Sequence, residues 1–391
     1  MRPDIDEKLR LLAPVMGGKV AQLRKAYFCE TDPREKREIE AFIDLKISQL
    51  VKRSQDEEII LPPPAQDKCA GEIKLGDVTY LGSSLYPFAA NLSDINRHMF
   101  IAGATGSGKT TFALNLIRKL RERGIPFLII DWETSYRTLA QEYDDVEVFT
   151  VGKSIHPIHI NMLEVPPGIT KEEYTKSLIA LISEDYLSGA GSDTMFLHYI
   201  TTAFAELQNP SFEDLKQIIL REIQKDMKGK GKLAGRSGLW KETVQRITQF
   251  LSIGAIANVL GADKPFPIEK LLEKNIVLEF GGVKSPRDRK FLIHVILNYL
   301  SLLTQARGIT FDRLTNVIIM EEFHNLAIRG SEDNLVSGAF REIRKYGIGL
   351  VAIDQEPSAV PNVIFGNCNA KVCFRVGTRK DMQAMANAMN L

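Results

Sequence analysis

The sequence predicts an α/β protein: a mostly parallel sheet held between helices, with an inserted helical lobe and an N-terminal helical segment. Three observations carry that prediction. Short, almost fully apolar runs alternate with helical patterns from about residue 98 onward, which is how a parallel sheet covered on both faces reads. Between about residues 168 and 265 the alternation gives way to helical patterns with no convincing strand. The first 60 residues are highly charged and helical in pattern.

In chain order, "REKREIEAFIDLKISQLVKR" sets Ile39, Phe42, Ile43, Leu45, Ile47 and Leu50 among charges, an amphipathic helix of about five turns. Pro62-Pro63-Pro64 ends it as a stiff linker. Short strands begin with "EIKLGDVTYLG", and His98 to Ala102 reads as a strand. "PFLIIDWE", "VEVFTVG", "NIVLEFGG", "NVIIMEEF", "GLVAIDQ" and "AKVCFRV" supply the further strands. The expected organisation is a helical segment and Pro-rich linker over 1–68, a first core part over 69–167, the inserted lobe over 168–265 and a second core part over 266–391. The long interval between Lys109 and Glu321 is what the inserted lobe explains.

Composition narrows the function classes. Fifty basic and forty-nine acidic residues leave a formal charge of +1 on 391 residues, so no global basic field points to nucleic acid. Any such contact must be local, or built by several subunits. Cys29, Cys69, Cys368 and Cys373 have neither CxxC spacing nor a disulfide pattern, which favours a reducing cytoplasm. No apolar run approaches the roughly 20 residues that cross a bilayer, and there is no signal-peptide pattern. The expected location is the cytoplasm, with a peripheral place on a membrane complex left open.

The chemistry starts at "IAGATGSGKTTFALNLI". Gly103-Ala104-Thr105-Gly106-Ser107-Gly108-Lys109-Thr110 completes the pattern G-x-x-x-x-G-K-[ST] between a strand and a helix that carries Phe112, Leu116 and Leu120 at helical spacing. Glycines let backbone N–H groups converge on phosphate oxygens, and the helix start adds unpaired donors. These residues, with Thr111 beside them, are expected to bind ATP; Lys109 meets the β- and γ-phosphates and the Thr110 hydroxyl ligates Mg2+. "VIIMEEFHNL" supplies the acids at a strand end: Glu321 for the metal shell and Glu322 as general base. Gln355, ending "GLVAIDQ", is placed to contact the γ-phosphate or the attacking water. Arg341, Arg344 and Lys345 in "REIRKYG", Arg97 and Arg375 are cations that a ring enzyme could use across a subunit boundary.

Other features are read as structural. His156 and His159 have metal-like spacing without further ligands near them in sequence, so a strand-to-loop bend is expected. The basic "KGKGKLAGR" (228–236) is either a solvated turn or a phosphate contact. His324 packs or hydrogen-bonds beside the acidic pair and is not assigned as a base.

Together these motifs resemble the HerA/FtsK superfamily of hexameric DNA-pumping ATPases, above all its HerA branch and the related VirB-type conjugation ATPases. "RHMFIAGATGSGKTT", "LIIDWETSYRTL", "VIIMEEFHNL", "REIRKYGIGLVAIDQEPS" and "NCNAKVCFRV" stand in the family's order. The resemblance implies a RecA-like P-loop core, a homohexamer and duplex DNA in a central pore. It places Arg344 as the trans-acting finger, with Arg97 and Arg375 as lesser candidates. Trp132, Thr134 and Ser135 depart from the family's proline, glycine and glutamate, so no catalytic role is assigned there. The expected function is an ATP-dependent DNA translocase or helicase. The alternatives are a conjugation or secretion ATPase working on membrane-channel partners through residues 1–60, and an ATP-controlled scaffold for a nuclease.

Overall fold

The computed structural model describes residues 5–53, 62–80, 82–228, 236–261, 264–310, 313–327 and 335–391. The chain divides into two compact units, Met1–Asn91 and Leu92–Leu391.

In the first unit the charged segment folds as three helices, Ile5–Met16, Lys19–Cys29 and Pro33–Arg53. Ile5, Leu9, Leu12 and Ile43 form its small core, with Val20, Leu23, Tyr27, Ile39 and Ile47 packed on it. Lys8 is buried between Glu40 and Asp44, at 3.1 and 2.8 Å. The hydrogen bond to Asp44 is the main reason its ammonium pKa is raised. Strands β1 (Ile73–Tyr80) and β2 (Ser83–Ala90) pair antiparallel as a sheet of their own.

The second unit is the α/β fold expected from the apolar runs. Its seven strands are β3 (Met99–Ala102), β4 (Phe127–Asp131), β5 (Val146–Thr150), β6 (Asn275–Glu279), β7 (Asn316–Met320), β8 (Ile348–Asp354) and β9 (Ala370–Cys373). They lie in the order β5-β6-β4-β7-β8-β3-β9, and every pairing is parallel. β3, β4, β7 and β8 are buried at every residue, which explains why they lack hydrophobic alternation. β8 lies between the strand that feeds the glycine loop and the strand that ends in the acid pair. The carboxyl ends of β3, β8, β7 and β4 therefore sit side by side, about 4.8 Å apart per strand, where open parallel sheets gather ligands.

Five helices occupy 171–260: Lys171–Tyr186, Ala190–Glu206, Phe212–Lys228, Arg236–Leu251 and Gly254–Leu260. The described residues there contain no strand. A capping box between Thr170 and Glu173 opens the first of them. The helix Pro286–Arg307 starts from a Ser285 cap with Pro286 in its first turn, and is buried continuously from Phe291 to Leu300. Its middle is buried all round because it packs against the lobe helix Lys171–Tyr186 and against the segments Ile268–Leu272, Leu335–Glu342 and Ile343–Tyr346. Three of its polar side chains in that stretch find partners on other segments. His294 Nδ1 lies 2.9 Å from Asp185, Asn298 donates to Ser177 at 2.9 Å and the Tyr299 hydroxyl donates to Glu164 at 3.1 Å. No helix among the described residues is long and apolar enough to cross a membrane.

Candidate nucleotide site

The glycine loop is pinned at its entry by both neighbouring strands. The Gly103 N–H donates to the Asp354 carbonyl at 3.1 Å and the Ala104 N–H to the Arg375 carbonyl at 2.7 Å. A Cβ on Gly103 would stand 2.4 Å from Ser107 Oγ and 2.7 Å from Phe374 Cβ, so no larger residue fits. Gly106 and Gly108 adopt φ of +73° and +109°, the left-handed region that glycine enters at no steric cost. Gly108 also caps the helix Lys109–Arg121 without any side-chain acceptor, so its first-turn amides have no capping side chain to bind.

Two side chains show that the cradle suits a phosphate. Ser107 Oγ is buried with no hydrogen-bond partner. Lys109, 8% exposed, turns its ammonium to the loop's own carbonyls, 2.6 Å from Gly103 O and 3.1 Å from Ala104 O. Burial pulls its pKa down, against the attraction of Glu322, Glu321 and Asp354. A buried cation and an orphaned hydroxyl beside a glycine cradle fit a polyphosphate. Thr110 is half-buried in the first turn of the same helix, and Thr111 is exposed there.

Across the cleft, Glu321 directly follows β7 and is buried. Burial pushes its carboxyl up to about 7, and the nearby charges of Asp131, Glu322 and Glu133 push the same way. The fully buried Tyr136 donates its hydroxyl to Glu321 Oε1 at 2.7 Å and opposes that rise. Asp131 ends β4 and is likewise raised to about 6 by burial. It accepts backbone N–H bonds from Glu133, Ser135 and Tyr136 at 3.0, 2.7 and 3.3 Å. Asp131 and Glu321 stand at the carboxyl ends of the neighbouring strands β4 and β7 and offer carboxylate oxygens, the ligand type that a hard divalent cation such as Mg2+ takes.

Glu322 sits at φ +47°, a left-handed conformation that is strained for a residue with a side chain. Its Oε1 accepts the Gln355 amide N–H, while Gln355 Oε1 accepts from the Thr105 hydroxyl at 2.5 Å. One chain of side chains thus links the glycine loop, the end of β8 and the acid pair. His324 lies beside the pair, as its position in the motif suggested. Its backbone N–H donates to Asp354 at 2.5 Å and its Nδ1 lies 3.1 Å from Asp354 Oδ1. That hydrogen bond is the main reason the imidazole pKa is raised.

The arginines divide between the two edges of the sheet. Arg344 lies in the turn Ile343–Tyr346 that precedes β8, close enough to His98 for its charge to act there. Burial first, with Arg344 adding, drives the His98 pKa down to about 4. Arg344 and Gln355 flank β8, whose seven residues span about 20 Å. Arg97 is exposed at the Arg344 edge, and its carbonyl accepts the Asn369 N–H at 2.9 Å. Arg375 stands at the other edge, beside the glycine loop of its own chain.

Tyr136, Asp131 and Asp354 are site residues that the motifs did not single out. The first two fall in "LIIDWETSYRTL", and each aspartate ends an apolar strand, which was the available signal. His159 Nδ1 meets the Asn258 carbonyl at 2.6 Å, and among the described residues neither His156 nor His159 joins a set of metal-ligating side chains. Residues 229–235 of the basic stretch lie outside the described residues.

Residues 73–300 match the family described as "Helicase HerA, central domain". The chain is similar to the DNA double-strand break repair helicase HerA of Sulfolobus acidocaldarius, 23% identical over 322 residues that cover 78% of this chain and 60% of that protein. The HerA of Saccharolobus solfataricus is 21% identical over 318 residues, covering 78% and 59%. The chain spans about 60% of the length of these curated relatives. Among solved structures, VirB4 of Thermoanaerobacter pseudethanolicus superposes with a TM-score of 0.62 at 17% identity, over 82% of this chain and 89% of that one. The plasmid coupling protein TrwB in complex with ADP and Mg2+ superposes with a TM-score of 0.53 at 15% identity, over 84% and 78%. These likenesses establish a shared fold.

Proposed function

The chain belongs to the family of the HerA helicase central domain, and from that premise we propose that it is an ATP-dependent DNA translocase or helicase working as a homohexameric ring. The observation that carries the proposal is the side-chain connection Thr105–Gln355–Glu322. It joins the phosphate loop to the general base through the one strand whose other end carries Arg344. A device of this form can report nucleotide state from one edge of the sheet to the other.

In the proposed reaction Lys109 leaves the loop carbonyls and pairs with the β- and γ-phosphates of ATP. Gln355 and Glu322 hold the attacking water. Its oxygen bonds to the γ-phosphorus as the bond to the β-phosphate oxygen breaks, and a Glu322 carboxylate oxygen takes its proton. Thr110 and Glu321 would hold Mg2+, which supplies charge neutralisation on the phosphates. Arg344, at the opposite edge from its own loop, would serve the site of a neighbouring subunit.

ATP hydrolysis measured with and without duplex DNA tests this function. A marked rise with duplex is expected, and a rate indifferent to DNA would overturn it. The second reading, a VirB-type ATPase docked on a membrane-channel protein, is favoured by the separate N-terminal unit, which exposes Phe28, Phe42 and Leu45. Deleting residues 1–60 would then abolish partner capture and leave basal hydrolysis intact.

A further inference from the structure

A groove of about 910 Å³ opens beside the edge strand β9. Its walls come from the turn Pro357–Ala359, the helix Asn362–Asn367 and the helix Arg379–Met389. Lys371, Lys380, Ser358, Asn362, Gln383 and Asn387 line it, and among the described residues no aspartate or glutamate does. In a chain with 50 basic and 49 acidic residues, such a lining is a local positive field in an otherwise balanced molecule.

Asp381, next to Lys380 in sequence, does not line the groove. Asp381 is 3% exposed; its Oδ1 accepts the Ser358 N–H at 3.1 Å and its Oδ2 the Thr378 hydroxyl at 2.5 Å. Lys371, half-buried, is held by one donation to the Cys368 carbonyl at 2.6 Å, which leaves two of an ammonium's three donors to turn outward. Lys380 is exposed in the first turn of the last helix. Two lysines set among amides and a hydroxyl, with no acid in the lining, suit an anionic backbone. Phosphodiester backbones are contacted by this set of groups without regard to base sequence.

We propose that this groove binds the phosphodiester backbone of DNA. The inference rests on the translocase reading and adds to it a place of contact. Gln355, hydrogen-bonded to Thr105 and Glu322, precedes Ser358 by only a short turn, and Ser358 is tied through Asp381 to the helix bearing Lys380. A backbone phosphate seated here therefore lies against the segment that faces the nucleotide.

The test uses the full chain, a fluorescent 30-base-pair duplex and anisotropy over a series of salt concentrations. The double variant Lys371→Gln/Lys380→Gln should lose at least about tenfold in duplex affinity, and its slope of log K against log salt should fall by about 1.8, two phosphate contacts. Its affinity for a fluorescent ATP analogue and its basal hydrolysis should not change, which shows that the fold is intact. Lys371→Arg/Lys380→Arg should bind duplex like the parent. If the parent binds duplex and the Gln variant stays within twofold with the same slope, the groove proposal is overturned while the translocase reading stands. If the parent binds no duplex at all, both fall.

Discussion

The Tyr136 hydroxyl donates to Glu321 Oε1 at 2.7 Å, and both residues are buried. A carboxylate raised to about 7 by burial is thereby steadied in its charged form by one phenol. The tyrosine that holds this acid belongs to the "LIIDWETSYRTL" segment, to which no catalytic role had been assigned.

Tyr136→Phe removes only that donor. The Glu321 carboxyl should then titrate above about 7, so less of it is ionised near neutrality. Hydrolysis should fall several-fold at pH 6.5 and recover toward the parent rate at pH 8.5, where both are ionised. A pH–rate profile checks this, and a uniform loss at every pH would assign Tyr136 a packing role.

Glu321→Gln makes the opposite trade. Because the carboxyl is raised from 4.5 to about 7 in the fold, the folded state holds its proton more tightly than the unfolded chain. Stability is therefore lost as pH rises through that window. The neutral amide escapes the loss. Without metal or nucleotide, the variant should melt about 2–5 °C above the parent at pH 8 and level with it at pH 4. Thermal melts in a chelator measure the difference.

Lys109→Ala and Glu322→Gln should separate binding from turnover. The first removes the cation against the phosphates and should abolish tight ATP binding in equilibrium titration. The second keeps size and hydrogen bonding but cannot take a proton, so it should bind ATP and hydrolyse it about 10²-fold or more slowly.

Arg344→Ala should bind ATP and hydrolyse it slowly, by about 10³-fold if the arginine completes a neighbour's site. Mixed with Lys109→Ala subunits, it should regain activity, because a site with an intact loop can then face a subunit that keeps its arginine. Absence of recovery in rings shown to exchange subunits would move the finger to Arg97 or Arg375.

The chemistry that was legible in the sequence is the chemistry of local runs. Gly103 to Thr110 needs its residues in one order, and β7 and β8 each carry an apolar run straight into their functional ends. Those runs also gave away the parallel sheet, since only strands buried on both faces lose alternation. Pairings between distant segments were not legible. Nothing in "ETSYRTL" indicates that Tyr136 will reach Glu321, or that Asp354 will hold both His324 and the turn after Gln355. The same is true of the strand order, which puts β8 between β3 and β7 and brings Thr105 to Gln355.

The helix Pro286–Arg307 has one further consequence. Sealed along its middle from Phe291 to Leu300, it has no weathered side to present if the helices over 171–260 were cut away. The lobe is thus not a detachable accessory, and a trimmed version of this protein would lay bare a continuous greasy ridge and clump.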